Sequence, residues 1–233
     1  MSAIFKREFK AYFTSPVGYI VLAAFAFFLG LAFCIAYANG SAEIDAVFSL
    51  MSSIIIFAIP ILTMRLMSED RRLKVDQALL TAPVRLSGIV MGKFFAALAV
   101  FALPFALTLI FQLIFALHAA VDWTIFISNL LGVLLFGGSL IAIGLFISSL
   151  TESQAVAALG SLAISLLLSL IDLLPSMTTN TIVQTVVNWI SFNGRYQAFV
   201  TGVVDLSNII FFLSLIGIFL FLAVRVLEKK RWA

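Results

Sequence analysis

Residues Val17–Ala38 read VGYIVLAAFAFFLGLAFCIAYA, with no charged side chain from end to end. A helix rises 1.5 Å per residue, so this run extends about 33 Å, enough to cross a hydrocarbon core of roughly 30 Å. In lipid a helix satisfies its own backbone groups, so the run is expected to be helical whatever its β-branched content. Moving outward, Ala46–Met64, Phe94–Leu117, Trp123–Leu150, Ser153–Ile171 and Leu206–Val224 are likewise uncharged and long enough to span. The reading is an all-α integral membrane protein with six transmembrane helices. Pro60 and Pro104 fall inside the second and third spans and predict kinks, which membrane helices tolerate.

Composition agrees. Of 233 residues, 63% are hydrophobic and 11% charged, against about 45–50% and 25% in a soluble domain. A soluble core cannot absorb that excess. A net charge of +3 gives no indication of nucleic-acid binding; where the basic residues lie matters more. Lys6, Arg7 and Lys10 precede span 1. Arg65, Arg71, Arg72, Lys74, Arg85 and Lys93 surround the loop between spans 2 and 3, and Arg225, Lys229, Lys230 and Arg231 follow span 6. The loops after spans 1 and 3 carry Glu43, Asp45, His118 and Asp122 but no Lys or Arg. Thirteen of the fourteen basic residues therefore gather on one side, Arg195 being the exception. The positive-inside rule makes that side cytoplasmic and places both termini there.

Residues 1–15 read as an interfacial helix, with Phe5, Phe9, Tyr12 and Phe13 on a lipid-facing stripe and Lys6, Arg7 and Lys10 on another face toward anionic headgroups. Ser15-Pro16 makes the turn into the membrane. The loop 68–87 opens with Glu69-Asp70-Arg71-Arg72-Leu73-Lys74 and ends near Pro83; Leu73, Val75, Leu79 and Leu80 give a short cytoplasmic helix an apolar edge. In the outer connection 173–205, Ile182, Val183, Val186, Val187 and Ile190 recur at helical spacing. They predict a short helix in the outer interface, anchored by Trp189. Cys34, the one cysteine, permits no internal disulfide and reads as a small buried hydrophobe.

Catalytic chemistry is missing from this pattern. Gly88-Ile89-Val90-Met91-Gly92-Lys93-Phe94 has the outline of a phosphate loop, but a Walker A needs four residues between its glycines and Ser or Thr after its Lys. The better account is a close helix contact through Gly88 and Gly92, with Lys93 snorkelling to the interface. Ser139 beside Gly137-Gly138 lies about 24 Å along span 4, far from His118 at the end of span 3, so no Ser–His pair forms. Neither a His pair nor a Cys/His cluster with zinc-ligand spacing occurs. Ser161, Ser165, Ser169 and Asp172 step along one face of span 5. That row is a candidate polar lining for a translocation path; the simpler account is close helix packing, with Asp172 reaching headgroup water. Thr151 and Gln154 have capping-box spacing, which would reverse the chain between spans 4 and 5 in few residues.

Several segments together resemble the ABC-2 type permeases, especially the branch of gliding-motility and nitrous-oxide-reductase maturation permeases. They are Phe5-Lys6-Arg7-Glu8-Phe9 with Tyr12–Tyr19 (YFTSPVGY), Met64–Arg72 (MRLMSEDRR), and Leu79–Val84 (LLTAPV) leading to Gly92-Lys93. Gly144–Thr151 (GLFISSLT) with Gln154, Phe199–Leu206 (FVTGVVDL) and the tail Arg225–Trp232 (RVLEKKRW) follow in the same order. One departure is Lys74-Val75, where many relatives have Gly-Thr, and Gln77, where they have Glu. The resemblance implies a permease subunit of an exporter, paired with a second permease subunit (a homodimer or a paralogue) in a bacterial inner membrane. It also implies a separate ATPase subunit that binds ATP and magnesium, leaving this chain without cofactor or catalytic residues of its own. In such permeases the loop after span 2 docks on the ATPase, a role that falls here on Glu69, Asp70, Arg71, Arg72, Leu79, Leu80, Thr81 and Pro83. An extracytoplasmic auxiliary protein is a candidate partner for the outer connection. The alternative is an anchor or assembly platform that moves nothing.

Overall fold

A computed structural model of the chain describes residues 2–39, 44–74, 85–118, 121–172, 189 and 191–231. Among these, every long element is an α-helix. In chain order they are α1 (Ser2–Thr14), α2 (Pro16–Ala38), α3 (Ile44–Thr63), α4 (Ser68–Arg72), α5 (Leu86–Ala102), α6 (Ala106–His118), α7 (Trp123–Leu150), α8 (Gln154–Ile171), α9 (Phe192–Val200) and α10 (Leu206–Arg231). Among the described residues, six stretches are long and apolar enough to cross a membrane: Pro16–Ala38, Ile44–Arg72, Leu86–Leu117, Trp123–Leu150, Gln154–Ile171 and Leu206–Lys230. The six spans expected from the sequence are the six observed.

Proline explains two local features. Pro16 opens α2 after an extended Ser15, because its fixed φ suits a first helical turn and its missing N–H costs nothing there. Pro104 cannot donate to the helical ladder, and the third span accordingly passes through a 3-10 turn, Leu103–Phe105, between α5 and α6. Pro60, by contrast, is accommodated inside α3. The third span also begins at Leu86, well before the Phe94 start that the charge of Lys93 implied.

The bundle is built around α7, which packs against α3, α5, α8, α9 and α10. Lipid supplies no hydrophobic force between helices, so close packing through small residues does the work. A Cβ on Gly132 would sit 2.4 Å from Phe199, on Gly137 2.3 Å from Phe101, and on Gly144 2.2 Å from Thr63. The Gly137-Gly138-Ser139 string is thus a packing surface, with the Ser139 hydroxyl donating to the Phe136 carbonyl at 2.7 Å. By comparison α8 and α10 are only 17% buried along their spans and turn most of their apolar surface outward. Cys34 is exposed on α2, correcting the buried position expected from its apolar surroundings: an apolar run in lipid does not reveal which face meets protein.

Between spans 4 and 5 the Thr151–Gln154 capping box is not formed. Ser153 is the N-cap of α8, its side chain accepting from the Val156 amide, while Thr151 is extended and its hydroxyl accepts from the Ser153 amide at 3.2 Å. The residues proposed for the outer helix at 182–188 and 190 lie outside the described residues. Trp189 is 74% exposed, and the helix described in this connection is α9. It is bound to the bundle by buried hydroxyls: Tyr196 donates to the Phe48 carbonyl at 2.9 Å and Ser128 to the Phe199 carbonyl at 2.8 Å.

Candidate functional site

The basic ends of the spans meet at α4. After Thr63 the chain makes one turn, residues 64–67, and starts a helix of five residues whose N-cap, Met67, has no side-chain cap of its own. A short helix with uncapped amides is unstable alone. Here Ser148 of α7 supplies the missing acceptor. Its hydroxyl accepts from the Met67 and Ser68 amides at 3.0 Å each and donates to the Met64 carbonyl at 3.1 Å.

The charges of α4 then divide by direction. Arg71 donates to the Ser149 carbonyl at 3.2 Å and pairs with Glu152 at 3.4 Å, while Lys230 of α10 donates to the same Ser149 carbonyl at 2.9 Å. Glu69 pairs with Arg65 at 2.8 Å, and Arg65 also donates to the Ser15 hydroxyl. Asp70 turns toward α5, whereas Arg72 and Leu73 are exposed. The charge run is therefore half structural and half free surface.

Lys93 is the centre of the arrangement. Its side chain is 1% exposed, which corrects the snorkelling expected for it. The ammonium has three N–H donors and each finds an oxygen: Asp70 at 2.7 Å, Glu8 at 3.0 Å and the Leu66 carbonyl at 2.5 Å. Arg7 bridges the same two carboxylates, at 2.5 Å from Glu8 and 3.3 Å from Asp70. Burial by itself lowers the Arg7 pKa, but Glu8 and Asp70 more than compensate and the net shift is upward. Lys93 has no reason to reach for the interface because α1 and α4 bring two carboxylates to it. A cavity of about 260 Å³ beside it is lined by Arg7, Glu8, Arg65, Glu69, Asp70 and Lys93, among others. Tyr12 also lines it and donates to the Leu62 carbonyl at 2.9 Å; burial raises the pKa of this phenol, so it remains a donor.

Glu8, Lys93 and Ser148 were not among the residues that sequence reasoning singled out for this site. The available signals were an acid set within the basic stretch of α1 and a lysine set among apolar residues. The other candidates are distributed as follows. Leu79, Leu80, Thr81 and Pro83 lie outside the described residues. Gly88 approaches nothing: a Cβ there would meet no atom within 4 Å. Of the α8 row, Ser161 and Ser165 are buried and donate back into their own helix, to the Ala158 carbonyl at 3.0 Å and the Ser161 carbonyl at 2.9 Å. Ser169 is half-buried. Asp172 accepts from the Phe192 and Asn193 amides at 3.1 and 2.7 Å, placing a carboxylate at the N-terminus of α9, where the helix dipole favours it.

Comparison with curated proteins found no match. The family model described as ABC-2 type transporter matches residues 1–172, a stretch that runs from α1 through α8 and contains the whole Lys93 cluster. With most of its 233 residues so matched, the chain belongs to the ABC-2 type transporter family, as a membrane-spanning transport component.

Proposed function

We propose that this chain is the permease subunit of an exporter, energised by a separate cytoplasmic ATPase that docks on α4 and the segment following it. The family makes it the membrane component of an ABC transporter and implies an ATPase partner. The export direction, the docking site, a second permease subunit and an inner-membrane location with both termini cytoplasmic are our reading. So is its place in the gliding-motility and nitrous-oxide-reductase maturation branch. The observation that carries it is the construction of α4. This helix is tied by Ser148, Arg71 and Asp70 to α7, the α7–α8 turn and α5, yet leaves Arg72 and Leu73 exposed. A force applied to its outer face is delivered directly to the bundle.

In this scheme ATP binding in two ATPase subunits draws the two α4 helices together, and the helices of the permease pair exchange between packed arrangements. Arg72→Glu reverses a free charge on the docking face without touching the bundle. It is expected to weaken co-purification of the ATPase roughly tenfold, equivalent to about 1.4 kcal/mol. An ATPase that associates equally with the unaltered and reversed chains would remove α4 as the docking element. Vesicles showing no ATP-dependent flux would favour the anchoring alternative.

A further inference from the structure

The three acceptors around Lys93 come from three different segments: Glu8 from α1, Asp70 from α4 and Leu66 from the turn between α3 and α4. Arg7 adds a second bridge between α1 and α4, but its side chain is 42% exposed, and exposed pairs contribute little. The buried bridge is the strong one, since charges held away from water are screened far less by salt. The far end of α1 is equally well seated. A Cβ on Gly18 of α2 would lie 2.2 Å from the Tyr12 carbonyl oxygen, so only glycine lets α2 approach α1 this closely. Along α1 the rings run in sequence, Phe5–Phe9 at 5.8 Å and Phe9–Phe13 at 5.1 Å.

We propose that Lys93, on α5, is a positioning residue that joins α1, α4 and its own helix into one rigid body, so that α1, and α2 through the Gly18 contact, follow every movement of α4. This rests on the reading of α4 as the docking element, and it gives that element a second output. The bundle is then driven through the first span as well as through α3, α5 and α7.

Pulsed electron resonance distances test it in the full chain in lipid nanodiscs, with Cys34→Ser removing the native thiol. One label pair, Lys6→Cys with Leu73→Cys, reports α1 against the end of α4. A second, Leu73→Cys with Val203→Cys, reports α4 against the opposite end of the bundle. The first pair is expected to give one narrow distribution that keeps its position when the ATPase and a non-hydrolysable ATP analogue are added, while the second shifts. Lys93→Met is expected to widen the first distribution at least twofold. Glu8→Gln, which keeps Lys93 paired with Asp70, is expected to widen it less, and it serves if Lys93→Met fails to fold. A first-pair distance that moves with nucleotide in the unaltered chain overturns the proposal, as does a width indifferent to both substitutions. If instead the second pair ignores nucleotide although the labelled chain still retains the ATPase, the docking reading fails, while the widths measured on the chain alone decide in any case whether α1 and α4 are joined.

Discussion

The ammonium of Lys93 lies 2.7 Å from the carboxylate of Asp70, with the lysine side chain 1% exposed and the aspartate 17% exposed. Two full charges are thus withdrawn from water at one end of an apolar bundle. Such burial is favourable only when the geometry and the remaining hydrogen bonds are satisfied. Here the ammonium is saturated by its third acceptor, the Leu66 carbonyl, and Arg7 neutralises the second carboxylate.

Removing one partner is the sharpest stability test of this cluster. Lys93→Met keeps the side-chain bulk but strands Glu8 and Asp70 beside Arg7 alone. Breaking a buried pair in this way costs about 3–5 kcal/mol, and the retained Arg7 places the loss near the lower figure. Thermal unfolding in detergent, compared with the unaltered chain, measures it.

Ser148→Ala deletes the one acceptor shared by the Met67 and Ser68 amides. Two buried donors go unsatisfied, at about 1–3 kcal/mol each before relaxation. The loss should be local. Hydrogen exchange at residues 67–68 is expected to rise well before exchange in α7, where the backbone ladder is intact.

The glycines divide into two groups. Gly144→Ala pushes a methyl to 2.2 Å from the Thr63 hydroxyl oxygen, and overpacking of this kind costs about 1–3 kcal/mol. Gly88→Ala meets nothing within 4 Å and gains up to about 1 kcal/mol of helix propensity. Melting of the two variants should therefore move in opposite directions. If Gly88→Ala instead weakens self-association, its surface is a contact between two copies.

Asp172→Ala separates packing from transport. The carboxylate holds two amides at the start of α9, so its loss should lower stability by about 0.5–2 kcal/mol, as loss of a helix cap does. Under the structural account flux per folded molecule is unchanged. A fall in flux without a fall in stability would instead put Asp172 and the Ser161, Ser165 and Ser169 row on the substrate path.

The six spans were legible because hydrocarbon thickness and the absence of charge are one-dimensional properties that a sequence states directly. Facing is not such a property. Cys34 and Val21 belong to the same apolar run, yet Cys34 is exposed and Val21 is 3% exposed. The burial of Lys93 is hidden for a related reason: whether a lysine snorkels depends on what stands beside it, and Glu8 and Asp70 arrive from distant positions in the chain. The α4 charges were recognisable as a group, but their division into an inward Arg71 and an outward Arg72 depends on Ser149 and Glu152. Ser153 takes the place of Thr151 as the cap because the helix begins at Gln154, which makes position 153 and not 151 the cap.

The central claim, that the free face of α4 receives the ATPase, is tested most directly by a photo-crosslinking residue placed at Arg72 in native membranes, with the same probe at Val203 as the opposite-end control. The account predicts an adduct with an ATP-binding subunit from position 72 and none from position 203. No such adduct from position 72, or equal adducts from both, would contradict it.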